Sequence, residues 1–249
     1  MKENIYREEL EKAIANLYDT FAKYPLRSQI ESCPCCVNEE DNKLIHVNSL
    51  HLLTGSQLNK FAFKSISTWG MVDDFKHFLP RLLELTAFGY RDFFWSDIVI
   101  KKLEYANFND WSEYEKIAIK EYSIALWNYI LAEYPAVSLE PDSFLNSFST
   151  VFTDLTIFLQ IWQNHPSGNA LLHLADFIIR EINFNKVKKF GLSETQTERF
   201  MNWLLQPAIL DRFERTFFNS IDTPYSNKLA EAFDILDCMV SSNTKSSIL

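Results

Sequence analysis

Chain breakers are scarce in this sequence. Five glycines and eight prolines are spread over 249 residues. That is too few for a protein made of many tight turns, because these two residues are the strongest interrupters of regular structure. Between them run stretches with apolar residues three and four apart, the spacing that lines one face of a helix. Ile5, Leu10, Ile14, Leu17, Tyr18 and Phe21 form the first stripe and predict a helix over 4–23, with Pro25 just past its end. Thr54 with Gln57, Ser112 with Glu115, and Ser193 with Gln196 have capping-box spacing, in which two side chains bond the free N–H groups of a helix start. They predict helices over 56–68, from 112 to about 134, and from 193 to Pro207.

Further stripes predict helices over 72–87, 92–105 and 168–184, and a last one from Thr223-Pro224 to Val240. Behind Pro141, the residues Phe144, Phe148, Val151, Phe152, Leu155, Phe158, Leu159 and Trp162 read as one long helix. Alternating β-branched runs bounded by hairpin dipeptides are absent, so sheet content should be minimal. The expected fold is all-α: an irregular array of about ten helices arranged as helical hairpins, compact or solenoid-like. The chain is expected to be a single domain over 1–249, with 136–140 as the other candidate boundary and "SSNTKSSIL", residues 241–249, as a mobile tail.

The apolar content, 47% with 15% aromatic, supplies a core for a chain of this length. Acidic residues outnumber basic ones, 33 to 24, for a net charge of −9. Such a surface repels phosphate backbones, so no nucleic-acid partner is expected. The densest basic stretch, Lys186, Lys188 and Lys189, reads as the complement of a helix C-terminus. No run approaches 18 apolar residues; "YSIALWNYILAEYP" is broken by Asn128 and Glu133, so no membrane partner is expected either. The N-terminus lacks the apolar segment of a signal peptide, which predicts a cytoplasmic chain with reduced thiols.

Residues 25–55 lack periodicity and contain "SCPCCVNEED". Cys33 and Cys36 make a Cys-x-x-Cys pair, the spacing at which a tight turn presents two thiolates to one Zn²⁺. His46 and His51 extend this to Cys-x2-Cys-x9-His-x4-His. A more compact set takes Cys33, Cys35 and Cys36 with His77 arriving from another element. A structural zinc site, a thiol redox pair and a set of reduced, apolar fillers all fit the pattern.

On the helix over 72–87, Asp73, Asp74, His77, Arg81 and Glu84 fall opposite the apolar stripe, either as a solvated face of charge pairs or as a polar site. His173, Asp176 and Arg180 repeat this geometry later in the chain. Nucleophile elbows, phosphate-cradling glycine loops and His-Glu-x-x-His are missing.

"CPCC" together with "STWGMVDDFKHFLPRLLEL" and "KLEYANFNDW" is similar to a group of uncharacterised bacterial helical proteins, with the WGxxDDFKHFLPR block the most specific part. The resemblance implies a cytoplasmic bacterial protein and carries no activity. Two functions follow as expectations. One is a non-enzymatic interaction module whose groove, marked by exposed aromatics, holds a protein or peptide partner. The other is a metal-dependent or acid/base enzyme using the polar faces around His77 and His173.

Overall fold

Helix starts fall where backbone donors find side-chain acceptors. The computed structural model describes residues 3–88, 92–136, 139–182, 191–219 and 222–246. These carry, in order, α1 (Glu3–Phe21), α2 (Glu39–Leu44), α3 (Gly55–Lys64), α4 (Val72–Ala87), α5 (Ser96–Tyr105) and α6 (Glu113–Ala132). There follow α7 (Pro141–Ser149), α8 (Thr156–Asn164), α9 (Gly168–Phe177), α10 (Glu194–Leu204), α11 (Pro207–Phe218) and α12 (Ser226–Ser246). The fold is all-α. Among the described residues there is no strand, only isolated bridges from Trp69 to Ser32 and Ser65. The Lys186–Lys189 stretch lies outside the described residues.

The expected boxes form at α3, where Thr54 and Gln57 exchange bonds, and at α10, where Ser193 and Gln196 do. At α6 the Glu115 carboxylate reaches back to the Ser112 N–H at 3.0 Å. Pro141 and Pro207 occupy first turns, where a missing N–H costs nothing.

Helix α5 starts at Ser96 instead of 92, α9 passes into a π turn over Ile178–Ile182, and four further departures from the sequence expectation have a local reason. Inside the segment expected to be irregular, Asn38 and Asp41 form a capping box and start the short helix α2. Helix α3 stops at Lys64 instead of 68, because the chain turns through a left-handed Ile66 (φ 67°) and Gly70 (φ 74°). The long stripe behind Pro141 is two helices: Asp154 Oδ1 accepts from the Thr156 N–H at 3.0 Å and its hydroxyl at 2.6 Å, which restarts the helix there. The polar tail is not loose throughout, since α12 continues to Ser246; 247–249 lie outside the described residues.

The helices gather in two compact units. The first comprises Met1–Ile130 and Val137–Val151, the second Leu131–Ala136 and Phe152–Leu249. In the first, α4 is the hub and packs against α1, α3 and α5. Phe61 of α3 meets Phe78 of α4 with ring centroids 4.4 Å apart, and Trp127 stacks on Phe144 at 4.5 Å. In the second, α12 packs on α9 and α11. There the part-buried Arg212 donates to the carbonyls of Trp162, Gln163 and His165 at 2.7–2.9 Å, closing the C-terminus of α8.

One lysine of the first unit is buried beside a neutral acceptor. Lys102 is 8% exposed, and its ammonium donates to the Ser65 carbonyl. Burial pushes its pKa down to about 8 from an ordinary 10.5. The folded chain therefore releases this proton first, and stability climbs as pH rises from about 8 to about 10.5. Below pH 8 the buried ammonium is a standing cost. Lys102→Met is expected to raise the thermal midpoint at pH 7 by about 3 °C, equivalent to about 1 kcal/mol, and to abolish the alkaline rise. A midpoint unchanged or lowered at pH 7 would refute this.

Candidate metal centre

The three clustered cysteines sit on a turn held at both ends. Antiparallel pairing ties its entry to the strip before α4: the Cys33 N–H donates to Thr68 O at 2.9 Å, and the Gly70 N–H donates to Glu31 O at 2.8 Å. Pro34 then helps reverse the chain, and the Cys33 carbonyl accepts from the N–H groups of Cys36 and Val37 at 2.9 and 3.0 Å. Ile30 and Val37 flank the turn as buried plugs, and Asn38 opens α2 immediately afterwards. The turn is therefore built, not slack.

Its geometry gathers the sulfurs. Cys33 Sγ is 2.9 Å from Cys35 Sγ, which is 3.7 Å from Cys36 Sγ, and all three lie within 4.8 Å of one another. Cys35 is exposed, and Cys33 and Cys36 are half-buried. The thiols of Cys33 and Cys35 share a hydrogen bond, and hydrogen bonding from Cys35, with a smaller contribution from Cys36, lowers the Cys33 pKa. Cys35, bonded to Cys33 and beside two other sulfurs, is pushed up to about 11. A sulfur whose thiolate is favoured by neighbouring hydrogen bonds is prepared to carry negative charge, as a metal-bound thiolate must.

The rest of residues 24–55 straps across the face of α4 expected to meet solvent. Asp74 is 2% exposed and accepts from Arg27 Nε at 2.7 Å, from Arg27 Nη2 and from the Met71 N–H at 2.7 Å. His77 Nδ1 donates to Tyr24 O at 2.8 Å, and burial lowers its pKa. Arg81 bonds Leu53 O and Glu84, and Glu84 accepts from Tyr18 at 2.6 Å. Trp69 Nε1 donates to Asn42, and Lys60 pairs with Asp41. Of the expected polar group only Asp73 is exposed. The reading of this face as solvated is thus corrected: a strap covers it, Asp74, His77 and Arg81 bond the strap, and Glu84 is held by Arg81 and by Tyr18 of α1.

The histidines offered as ligands are used elsewhere. Among the described residues no histidine or carboxylate joins the three sulfurs. His77 is turned to Tyr24. His46 faces carbonyl oxygens with both ring nitrogens, Asn42 O at 2.6 Å and Arg27 O at 2.9 Å. His51 is exposed and stacks on Tyr18 at 3.8 Å. The second expected polar face stands in the other unit. There His173 Nε2 donates to Glu133 O at 2.6 Å, Asp176 accepts from Tyr134 and Lys228 at 2.6 Å each, and the exposed Arg180 pairs with Glu181.

Sequence reasoning missed the buried Lys76–Glu115 pair. Lys76 and Glu115 are 6% and 1% exposed. Lys76 Nζ lies 3.2 Å from both Glu115 oxygens, 3.0 Å from Tyr24 Oη and 4.1 Å from the Trp111 ring centroid. Glu115 also accepts from Tyr24 at 2.5 Å and from Ser112, and pairs with Lys23 at 3.2 Å. The signal was present as Ser112-x-x-Glu115, which reads as a helix cap and says nothing of burial.

Exposed aromatics, expected to mark a partner groove, are scattered: Phe63, which packs on the half-buried Trp95 with ring centroids 4.7 Å apart, Phe94, Tyr105, Tyr114, Phe218 and Tyr225. Phe94 borders a recess of about 320 Å³ shared with Lys101 and Asn146. No helix among the described residues is long and apolar enough to cross a membrane. No family model, no curated protein and no solved structure matches the chain.

Proposed function

We propose that the chain is a non-enzymatic, thiolate metal-binding protein, in which a helical scaffold holds Cys33, Cys35 and Cys36 ready for one thiophilic divalent ion such as Zn²⁺. The observation that carries this reading is the gathering of three sulfurs within 4.8 Å on a turn fixed at its entry to Thr68 and Gly70. Thiolates about 2.3 Å from a tetrahedral ion stand roughly 3.8 Å apart. Cys35 and Cys36 are already at 3.7 Å. The Cys33–Cys35 pair, at 2.9 Å, opens to that spacing by a small side-chain rotation. An acid/base enzyme draws less support, since His77, Arg81, Glu84, His173 and Asp176 are engaged in bonds within their own units.

Elemental analysis of protein purified under reducing, chelator-free conditions is expected to find about one equivalent of metal. A structural zinc site of four ligands is worth roughly 10–16 kcal/mol, so one ligand carries about 3 kcal/mol, or roughly two orders of magnitude in affinity. Cys36→Ser should weaken Zn²⁺ binding by about that factor. Metal-free protein, with a melting curve indifferent both to added Zn²⁺ and to chelator, would retire the reading.

A second reading, a thiol redox pair, is favoured by the 2.9 Å approach of Cys33 and Cys35. In it the two thiols give two protons and two electrons to oxidised glutathione, which leaves as two reduced thiols. A stable Cys33–Cys35 disulfide, found by peptide mapping after that treatment, would support it. Recovery of only mixed disulfides with glutathione would not.

A further inference from the structure

Taking the thiolate centre as premise, we infer that the ion held by Cys33, Cys35 and Cys36 keeps one coordination position open to solvent, so that small thiols enter it and exchange the metal. Three observations lead there. The donor set stops at three, because among the described residues no histidine nitrogen or carboxylate oxygen completes the group. The histidines nearest in sequence have other engagements: His46 faces two carbonyls, and His51 lies on Tyr18. The cluster also reaches solvent, at Cys35, with Pro34, Asn38, Glu39 and Glu40 exposed around the turn while Cys33 and Cys36 are half-buried.

A four-coordinate ion with three protein sulfurs must find its last ligand in solution. Three thiolates on a divalent ion leave a net charge of −1, so water fills the fourth position at rest and is released when a soft thiolate takes its place. A closed structural site hides its ion among four protein ligands and yields it slowly. An open one is attacked directly. An incoming thiol gives up its proton, binds the fourth position as thiolate, and one protein sulfur departs carrying a proton in return. Repeated, that exchange transfers the ion to the incoming ligands with no change of oxidation state. The exposed turn thus fits a carrier or buffer of thiophilic metal better than a fold-stabilising clasp.

Cobalt is the probe, because its visible bands report both the number of thiolates and the geometry around the ion. The full reduced chain loaded with Co²⁺ is titrated with 2-mercaptoethanol. The expected result is a saturable growth of the sulfur-to-cobalt charge-transfer band and a shift of the visible envelope. With Zn²⁺ loaded instead, transfer to a chromogenic chelator should accelerate in proportion to added thiol. His46→Ala, His51→Ala and His77→Ala should each leave the starting cobalt spectrum unchanged, while Cys35→Ser changes it.

A spectrum indifferent to thiol overturns the inference and leaves the metal centre standing. So does a cobalt spectrum that loses one ligand's signature in a histidine variant whose amide exchange at Cys33 is unchanged, which would identify a fourth protein ligand. Failure to take up Co²⁺ or Zn²⁺ at all overturns the centre itself, and this inference with it.

Discussion

Glutamine in place of Glu115 is expected to destabilise the first unit by about 3 to 5 kcal/mol, the cost of leaving a buried ammonium without its counter-charge. Glu115 lies in α6 and Lys76 in α4, so the pair joins the hub of the unit to its longest helix. Burial by itself would raise the Glu115 pKa. Hydrogen bonds from Tyr24, Ser112 and Lys76 outweigh it and hold the carboxylate at about 2. A folded value below the unfolded 4.5 means that this stabilisation is complete above about pH 4.5 and is lost as pH falls toward 2. Glu115→Gln should therefore lower stability at pH 7 and flatten its decline between pH 4.5 and 2. Denaturant unfolding of both proteins across that range measures it. Lys76→Met with Glu115→Leu should be less damaging than Glu115→Gln alone, because no charge is then stranded beside Trp111. A loss below about 1 kcal/mol for the single variant, or a double variant worse than it, would show that the pair is not the clamp described.

Alanine in place of Asp74 should release the strap. This carboxylate holds Arg27 by two bonds and takes the first free N–H of α4, from Met71. The loss is expected to be about 2–3 kcal/mol, smaller than at Glu115 because the stranded partner, Arg27, is 42% exposed and can return to water. The decisive readout is local. Amide exchange at Cys33 and Gly70, the two donors that tie the thiol turn to residues 68–70, should accelerate far more than exchange in the core of α4. On the proposed metal reading, Zn²⁺ affinity should also fall, by up to about tenfold, because the turn loses part of the pairing that sets its shape. Asp74→Asn, which can still accept from Met71, should fall between alanine and the native chain. Unchanged exchange at Cys33 would mean that the turn holds its shape without this anchor.

Most helices were legible in the sequence, because the signals that start them are local: Thr54 with Gln57 and Ser193 with Gln196 need only their own neighbours. The stripe from Phe144 to Trp162 misled because its apolar rhythm persists across a break, while the Asp154–Thr156 restart is a matter of polar atoms that periodicity ignores. The polar side of α4 misled for a different reason. Asp74, His77, Arg81 and Glu84 do lie opposite the stripe, yet whether that side meets water depends on residues 24–55 folding over it. Asp74 shows no sign in sequence of its partner Arg27, 47 positions earlier. Proximity of the three sulfurs followed from Cys-Pro-Cys-Cys itself, whereas the exclusion of His77 from them depends on a carbonyl 53 positions before it.

Those long separations bear on the order in which the molecule acquires its parts. During synthesis the thiol turn leaves the ribosome well before Thr68, Gly70 and Asp74, the residues that give it shape, and closing so wide a loop must await the docking of α4. Until then Cys33, Cys35 and Cys36 belong to a slack nascent segment, without the paired entry that later sets their spacing. On the proposed metal reading, ion capture is accordingly a late event in the life of each molecule, and a chain stalled before α4 would present three unguarded sulfurs to whatever oxidant or soft cation arrived first.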